Sequence, residues 1–332
     1  MATFVLAHLS DPHLGPLPKP HLFELAGKRA TGFFNWQRRR RLVHREEVLA
    51  ALVADLKAQA PDHIAVTGDL VNISLAGEYA PARAWLEALG PPQDVTLVPG
   101  NHDAYVRRVA DYPQLHWGDY MRRDEAVTRH PEVRGSEASE PRRAATTAPS
   151  FEAGLRPAPQ DDGRGFPFLR RRGPLALIGL SSAVPSAPFM ATGRLGAEQL
   201  RRLPALLDRS REEGLFRVVM VHHPPVSKNR FKRLMDGPAF RAVLAQHGAE
   251  LVIHGHDHAH SVVWLEGVRG RIPTVGVPSV SEASPGKHDP AGYNLYNVDG
   301  SAGAWQCELV ARGLTPDGDK IVEKNRMLLA GN

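Results

Sequence analysis

Five times along the chain, a short apolar segment runs directly into polar residues of the kinds that bind metal ions. The clearest case is the segment 97–103, LVPGNHD, in which a strand-like run ends in a turn with an amide, an imidazole and a carboxylate. The other four clusters are Asp11-Pro12-His13, Gly68-Asp69, His222-His223 and Gly255-His256-Asp257-His258. Because α/β proteins build their sites at the carboxyl ends of strands, this repetition predicts an α/β scaffold around one metal centre.

The first half of the chain alternates between strand and helix patterns. Apolar spacing predicts strands over 4–9, 63–67 and 95–98 and helices over 44–59 and 78–89. Such alternation is typical of βαβ units and a largely parallel sheet. Further on, the pattern predicts strands over 175–180, 216–221 and 251–253, and helices over 196–213, interrupted by Pro204, and 237–247. From residue 261 strand patterns follow one another without helices, which favours an antiparallel sheet packed on the first.

Composition limits which kind of site can form. The 332 residues are 42% hydrophobic and 23% charged, as expected of a globular protein. The one cysteine, Cys307, excludes an internal disulfide framework and a thiolate cluster, so any metal must be bound by His, Asp and Asn. A formal net charge of +5 favours anionic ligands without choosing between nucleotides, nucleic acid and a lipid surface.

The sequence also gives an expectation about the compartment. The N-terminus lacks the basic segment of a signal peptide, and its apolar run is cut by His8 and Asp11. No apolar run approaches the length of a membrane span. We therefore expect a cytoplasmic protein, with peripheral contact to a membrane left open.

Two segments differ from the rest in composition. Residues 14–45 interleave aromatic side chains with basic ones, a mixture that binds phosphates, stacks on bases or lies on anionic lipid, and that is also found on solvated helix faces. Within it, Trp36 and Arg38 are candidate substrate contacts. Residues 130–165 contain almost no large apolar residues, so they are predicted to be a flexible insertion, with a lid as one interpretation.

The donor set indicates a particular chemistry. Five strand ends that deliver carboxylate, amide and imidazole groups suit two divalent or trivalent cations that share one bridging carboxylate. Two metals held close together deprotonate a bridging water at neutral pH and clamp phosphoryl oxygens during in-line displacement. The sequence therefore predicts hydrolysis of a phosphoester.

The ordered motifs D-x-H, GD-x-x-N, GNHD, HHPP and GH-x-H resemble those of the calcineurin-like metallophosphoesterase superfamily. The GNHD form and the length are most similar to class III cyclic-nucleotide phosphodiesterases and related bacterial phosphodiesterases. The resemblance implies a four-layer α/β/β/α sandwich of two mixed β-sheets flanked by helices. It also implies one domain over 1–312, with the insertions at 14–45 and 130–165, followed by a C-terminal tail over 313–332.

Carried over by position, the resemblance assigns the site residues. One metal would be bound by Asp11, His13, Asp69 and His258, and the other by Asp69, Asn101, His222 and His256, with Asp69 as the bridge. His102 would donate a proton to the leaving oxygen or stabilise phosphoryl charge, and Asp103 would orient it. Asn72, His223, His254 and His260 are assigned supporting or structural roles. The metals would be manganese, iron or zinc, and the imidazoles favour transition metals over magnesium.

We expect a phosphodiesterase that acts on a cyclic nucleotide or another small phosphodiester through a metal-bridging hydroxide. Asn101, His102, Arg38 and Trp36 would contact the substrate. The alternatives are a nuclease like those of DNA double-strand-break repair, a lipid-nucleotide pyrophosphatase at a membrane surface, and a non-catalytic scaffold. The nucleases carry a further capping domain, the pyrophosphatases carry Arg in place of His102, and scaffold members lose ligands that this chain retains. The oligomeric state is left open.

Overall fold

Two six-stranded sheets form the centre of the protein in a computed structural model that describes residues 3–124, 165–283 and 288–330. The strands are β1 (Phe4–Leu9), β2 (His63–Val66), β3 (Val95–Leu97), β4 (Phe168–Arg172), β5 (Leu175–Gly179), β6 (Phe216–Met220), β7 (Leu251–His254), β8 (Ser261–Leu265), β9 (Ile272–Gly276), β10 (Gly292–Asp299), β11 (Gln306–Leu314) and β12 (Ile321–Ala330). The helices are α1 (Lys28–Asn35), α2 (Arg41–Val43), α3 (Glu46–Ala58), α4 (Tyr79–Leu89), α5 (Tyr112–Trp117), α6 (Ala197–Glu212) and α7 (Gly237–His247). A π-helical turn, Trp36–Arg40, joins α1 to α2.

The strands and helices predicted from apolar spacing are confirmed, with ends shifted by a residue or two. The predicted interruption at Pro204 is wrong, because α6 continues through it. Proline removes one helical hydrogen bond, but Leu203 and Leu207 on the same helix are fully buried and hold it against the sheet. Packing therefore outweighs the local cost of the proline.

The expectation of a separate antiparallel sheet after residue 261 is wrong. In the first sheet the order is β12-β11-β10-β1-β2-β3, so the last three strands extend the parallel β1, β2 and β3 by antiparallel pairing. In the second, of order β4-β5-β6-β7-β9-β8, the four central strands are parallel and both edge strands are antiparallel. Strand patterns without helices show that pairing is present, but they do not show which sheet each strand joins.

Helices cover the outer faces of both sheets, which confirms the α/β/β/α sandwich. One buried cluster joins apolar residues of α3 and α4 to the first sheet and to the inner face of the second, including Leu52, Leu86 and Val218. A second cluster packs α6 and α7 on the outer face of the second sheet, where Val219 and Val221 alternate with the inward-facing Val218. The sheets therefore meet face to face, with their ligand-bearing loops at one edge.

The two segments of unusual composition and the C-terminal segment have different outcomes. Residues 14–45 include α1, the π-helical turn and α2, and they dock through Phe33 and Trp36 on a small cluster that contains Ile73 and Tyr105. The flexible insertion expected at 130–165 lies outside the described residues, apart from Gly165. The segment 313–332, expected to be a tail, supplies β12, which pairs with β11. In the described part of the chain, no helix has the length and apolar character needed to cross a membrane.

Candidate metal centre

The predicted ligands follow strand ends on backbone that bends unusually. Left-handed φ angles occur at Asp11 (54°), His13 (43°), Asp69 (56°), His256 (72°) and His258 (51°). Non-glycine residues rarely adopt this conformation, and its concentration at strand ends marks positions where the surrounding fold imposes strain. Hydrogen bonds between the loops stabilise this backbone conformation: Asp11 N–H donates to Gly68 O at 2.9 Å, and His13 N–H donates to Asp69 O at 3.1 Å.

Two glycines let these loops approach closely. A Cβ at Gly68, whose φ is +90°, would lie 2.3 Å from the backbone nitrogen of Gly100. A Cβ at Gly255 would lie 1.9 Å from Ser10 Oγ. Any side chain at either position would push the ligand loops apart, so these glycines are required by the contact between loops.

The first group of ligands consists of Asp11, His13 and His258, all buried. His258 Nε2 lies 3.2 Å from Asp11 Oδ1 and 3.4 Å from His13 Nε2. His13 Nε2 lies 4.0 Å from Asp69 Oδ2, which connects this group to the second one.

The second group consists of Asn101, His222 and His256 beside the same Asp69. His222 Nε2 is 3.3 Å from Asp69 Oδ2 and 3.2 Å from Asn101 Oδ1. His256 Nδ1 is 3.2 Å from His222 Nε2. Asp69 therefore lies within reach of both groups, the position expected of a bridging carboxylate.

In each imidazole the nitrogen that points away from the centre contacts a protein acceptor. The nitrogen that points into the centre is therefore the one available to bind a cation. His222 Nδ1–H donates to Thr67 O at 2.6 Å, and His258 Nδ1–H to Glu282 Oε2 at 2.9 Å. His256 is turned the other way, because its Nε2–H donates to Lys232 O at 3.0 Å and its Nδ1 points inward. Outer-shell partners of this kind orient metal-binding histidines.

The converging atoms fit metal ions. Carboxylate oxygens and imidazole nitrogens that face one another at these distances repel unless a proton or a metal cation lies between them. Among the described residues, Asp11 Oδ1 is buried without a hydrogen-bond partner. A mixed set of nitrogen and oxygen donors suits manganese, iron or zinc. The seven predicted ligands therefore come together as two adjoining groups, one with Asp11, His13 and His258 and the other with Asn101, His222 and His256, and Asp69 lies between them.

The electrostatics of the centre favour positive charge. Burial lowers the pKa of His222, but the carboxylates of Asp69 and Asp11 outweigh it and raise that pKa to about 10. Burial also opposes protonation of His258, but Asp11 and Glu282 raise its pKa to about 9. These carboxylates attract a cation into the space between the imidazoles.

His102 lies beside the centre and under Arg40. Its Nδ1 contacts the backbone oxygen of Asn72, and its Nε2 lies 2.9 Å from Arg40 Nη2. Because a carbonyl can only accept, Nδ1 carries the proton and Nε2 accepts from the guanidinium. Burial and then Arg40 lower the pKa of His102 to about 3, so the imidazole is neutral in this arrangement.

The expected role of Asp103 in orienting His102 is wrong. Asp103 Oδ2 accepts the backbone N–H groups of Asp69 and Gly100, each at 2.8 Å, and its Oδ1 accepts that of Leu70, also at 2.8 Å. The carboxylate therefore ties the Gly68-Asp69 turn to the Gly100-Asn101 turn, and the Asn72 carbonyl orients the imidazole. Asp103 supports the centre without facing it.

A cavity of about 970 Å³ adjoins Asn101 and His102. Its walls carry the predicted Arg38 and also Lys28, Arg40, Tyr105 and Lys232. Trp36, predicted to contact substrate, does not line this cavity; it stacks on Phe33 at a centroid distance of 6.4 Å and faces a smaller pocket that includes His13 and His44. Its side chain therefore docks the insertion on the core.

Four residues near the centre were not among the predicted site residues, although two of them, Lys28 and Arg40, belong to the basic segment that the sequence indicated for phosphate binding. Arg40 contacts His102, Lys28 lines the cavity, His44 lies near His13, and Glu282 supports His258. Burial raises the pKa of Glu282, but its hydrogen bonds with His258 and His288 outweigh this and lower it to about 2. The basic and aromatic run at 28–44 was the signal that could have led to the first three; no sequence signal singles out Glu282.

Three further histidines expected to have supporting or structural roles lie near the centre or its strands. His223 Nδ1 is 2.7 Å from Ser182 Oγ and its Nε2 is 3.2 Å from Ala191 O, so both of its nitrogens contact protein groups. His254 Nδ1 contacts Gly255 O at 3.1 Å, and the backbone N–H of His260 donates to Asp289.

Comparison with known proteins identifies the family. The sequence model described as calcineurin-like phosphoesterase matches residues 4–260. This chain belongs to the calcineurin-like phosphoesterase family. Its membership confirms the resemblance inferred from the motifs and shows that this phosphoesterase is a hydrolase of phosphoesters with a two-metal centre typical of the family.

Relatives of this phosphoesterase include a Synechococcus protein named as a probable cyclic nucleotide phosphodiesterase, 26% identical over 265 residues, which is 78% of this chain and 80% of that protein. The fold of the present chain is similar to that of a dimetal phosphatase from Danio rerio, with a TM-score of 0.55, 13% identity and 100% of both chains covered. A purple acid phosphatase from yellow lupin also has a TM-score of 0.55, at 10% identity over 98% of this chain and 53% of that one.

Proposed function

We propose that this phosphoesterase is a phosphodiesterase for small phosphodiesters, with a cyclic nucleotide as the leading candidate. The observation that carries the proposal is that two ligand groups, joined by Asp69, lie next to a cavity with basic and aromatic walls, which Asn101 and His102 help to line. The name of the Synechococcus relative supports the cyclic nucleotide, and the size of the cavity accommodates one.

The proposed chemistry divides between metals and protein groups. When bound, two transition metals would activate water and neutralise phosphoryl charge. Asp11, His13, Asp69 and His258 would hold one metal, and Asp69, Asn101, His222 and His256 the other. Manganese, iron or zinc would suit both sites.

Arg40 and Lys28 would bind the anionic part of the substrate. No described carboxylate lies within salt-bridge distance of Arg40, whose guanidinium is directed at His102 above the centre. A half-buried cation of this kind gains from an anionic partner, and a guanidinium matches two phosphoryl oxygens. Lys28 Nζ lies 4.2 Å from the centroid of the Tyr105 ring on the same wall, where it adds a second positive charge.

His102 would then donate a proton to the leaving oxygen. In the arrangement seen here the imidazole is neutral and its Nε2 accepts from Arg40. Arg40 would first move onto the phosphoryl group, and Nε2 would then take up a proton from solvent water and pass it to the leaving oxygen. The contact between Nδ1 and the Asn72 carbonyl keeps the ring oriented during this exchange. Substrate binding and the availability of His102 are thereby coupled through Arg40.

A substrate screen tests the proposal. Purified protein loaded with manganese or zinc is given a monoester, a diester, cyclic nucleotides and single-stranded DNA. Preferential turnover of the diester and of a cyclic nucleotide is expected, and an Asp69→Ala variant should lose turnover. Preference for DNA would favour the nuclease alternative. Absence of turnover by metal-loaded protein on every substrate would refute the proposal.

A second candidate is a lipid-linked phosphoester processed at a membrane surface. Three aromatic side chains on the cavity wall are exposed to solvent: Phe34 (60%), Phe189 (86%) and Phe231 (48%). Exposed aromatic groups beside basic ones favour contact with anionic lipid. Sedimentation with phosphatidylserine vesicles at low salt would favour this candidate, and failure to sediment would remove it. A cytoplasmic location stays a prediction.

A further inference from the structure

His44 lies outside the five motifs but next to the metal centre. It follows α2 in the segment 14–45 and forms an isolated antiparallel bridge with Glu282. Two backbone hydrogen bonds flank it, from Arg45 N–H to Ser281 O at 3.0 Å and from Ala283 N–H to Val43 O at 2.9 Å. The backbone at His44 is therefore fixed to the segment that carries Glu282, the partner of the ligand His258.

The ring of His44 faces the first group of ligands. Its centroid is 4.6 Å from that of His13 and 5.8 Å from that of His258. One nitrogen from each of these three imidazoles lies within 4.8 Å of the other two, a spacing that a single cation can bridge. The side chain of His44 thus brings a ring nitrogen from the segment 14–45 to the group that contains His13 and His258.

The hydrogen bonds of His44 are arranged like those of the family ligands. Its Nδ1 lies 2.8 Å from Ser281 Oγ, which is 3.3 Å from Ser279 Oγ. Ser279 in turn donates to the backbone oxygen of Asp11 at 2.7 Å, and a carbonyl can only accept. A chain of donors that begins at His44 Nδ1–H and ends at Asp11 O satisfies each contact and leaves His44 Nε2 as a lone pair.

We propose that His44 binds, through its Nε2, the same metal that Asp11, His13 and His258 hold, and that it is an additional protein ligand of this metal. The inference rests on the two-metal centre of the proposed function, but it does not depend on the substrate. It gives the insertion a direct role in assembling the centre, because the same short segment carries Arg40. Metal binding at His44 would hold the π-helical turn against the site and thereby position Arg40 over His102.

Metal binding by variants tests the inference. Wild-type protein and the variants His44→Ala, His44→Gln and His21→Ala are stripped with chelator and titrated with Mn²⁺ and Co²⁺ by calorimetry, with metal content measured after dialysis. His21 lies exposed in the same insertion and serves as the control. For both His44 variants we expect one site unchanged and the other weakened roughly tenfold or more, the scale known for loss of an orienting partner of a metal ligand.

The cobalt absorption spectrum provides a second readout. The visible bands of Co²⁺ should change in both His44 variants and remain as in wild type in His21→Ala. Wild-type affinities and an unchanged spectrum in a folded His44→Gln protein would overturn the inference while leaving the proposed function intact. If the wild-type protein bound no metal, that result would instead refute the proposed function, which requires two bound metals. Circular dichroism of each stripped variant confirms that the compared proteins are folded.

Discussion

His102 contacts the substrate cavity without being placed among the metal ligands, so its removal should separate metal binding from turnover. We expect His102→Ala to retain two metals and to lose roughly two to four orders of magnitude in kcat, the range for a general acid. Metal content and steady-state kinetics on a diester measure both properties, with His21→Ala as the control. Unchanged kcat would remove His102 from the mechanism.

Arg40 should affect substrate affinity more than metal affinity. For Arg40→Gln we expect kcat/KM to fall roughly 10- to 100-fold, because a hydrogen bond to a charged group contributes about 1.5–3 kcal/mol. The exposed Arg107, which lies away from the cavity, supplies a charge-matched control as Arg107→Gln. Inhibition by inorganic phosphate should weaken in parallel, and equal inhibition of both variants would contradict a phosphoryl-binding role for Arg40.

At the scale of single residues, the sequence predicts those side chains whose type and spacing are tied to strand ends. Asp11 and His13 were predictable because chemistry and local structure coincide there. Arg40 and His44 were not, because their reach into the site depends on a π-helical turn and on backbone pairing with residues 281–283. Asp103 was misassigned because adjacency in sequence to His102 does not determine where its carboxylate points.

Helix α3 is attached to the first sheet by a polar contact that offers a test at the scale of elements. Arg312 on β11 donates two hydrogen bonds to Asp55, each at 2.9 Å, and Tyr293 on β10 contacts the same carboxylate. We expect Asp55→Asn to lower the free energy of unfolding by roughly 1 kcal/mol, since the contact is partly exposed. Urea unfolding measures this, and metal content should stay as in wild type.

The same contact predicts a pH dependence. Burial raises the pKa of Asp55, but the hydrogen bonds from Arg312 and Tyr293 outweigh burial, and the net pKa lies below its ordinary value. A lowered pKa means that the stabilisation is present above the unfolded-state pKa of about 3.9 and is lost as the pH falls through the folded-state value. The difference in stability between wild type and Asp55→Asn should therefore shrink on acidification; a constant difference would contradict it.

The existence of most elements was predictable, whereas their partners were not. Apolar periodicity located the strands and the long helices because each must bury one face. The strand β12 escaped prediction because its central residues, among them Lys324 and Arg326, are exposed and charged. Its pairing along β11 comes from hydrogen bonds of the backbone, which carry no signal in the side chains.

At the scale of the whole molecule, the metal centre connects the two sheets. Loops of the first sheet supply Asp11, His13, Asp69 and Asn101, and loops of the second supply His222, His256 and His258. A chelator should therefore lower Tm and restored manganese should recover it, because each bound metal adds about 3–4 kcal/mol to the free energy of unfolding at metal concentrations a hundred to a thousand times its Kd. Differential scanning calorimetry measures the change, and Asp69→Ala should show little response to the chelator.

Strand β1 lies between β2 and β10, so the first ligand-bearing strand is a neighbour of one of the last strands to be made. Phe4 pairs opposite Val298, and at typical rates of translation the ribosome needs on the order of 15 s to one minute to make the chain between them. Throughout that time one edge of β1 lacks its partner and is open to aggregation. Insertion of both metals must wait until His258, the last predicted ligand along the chain, has been made, and chaperone supply during expression should limit the yield of active enzyme.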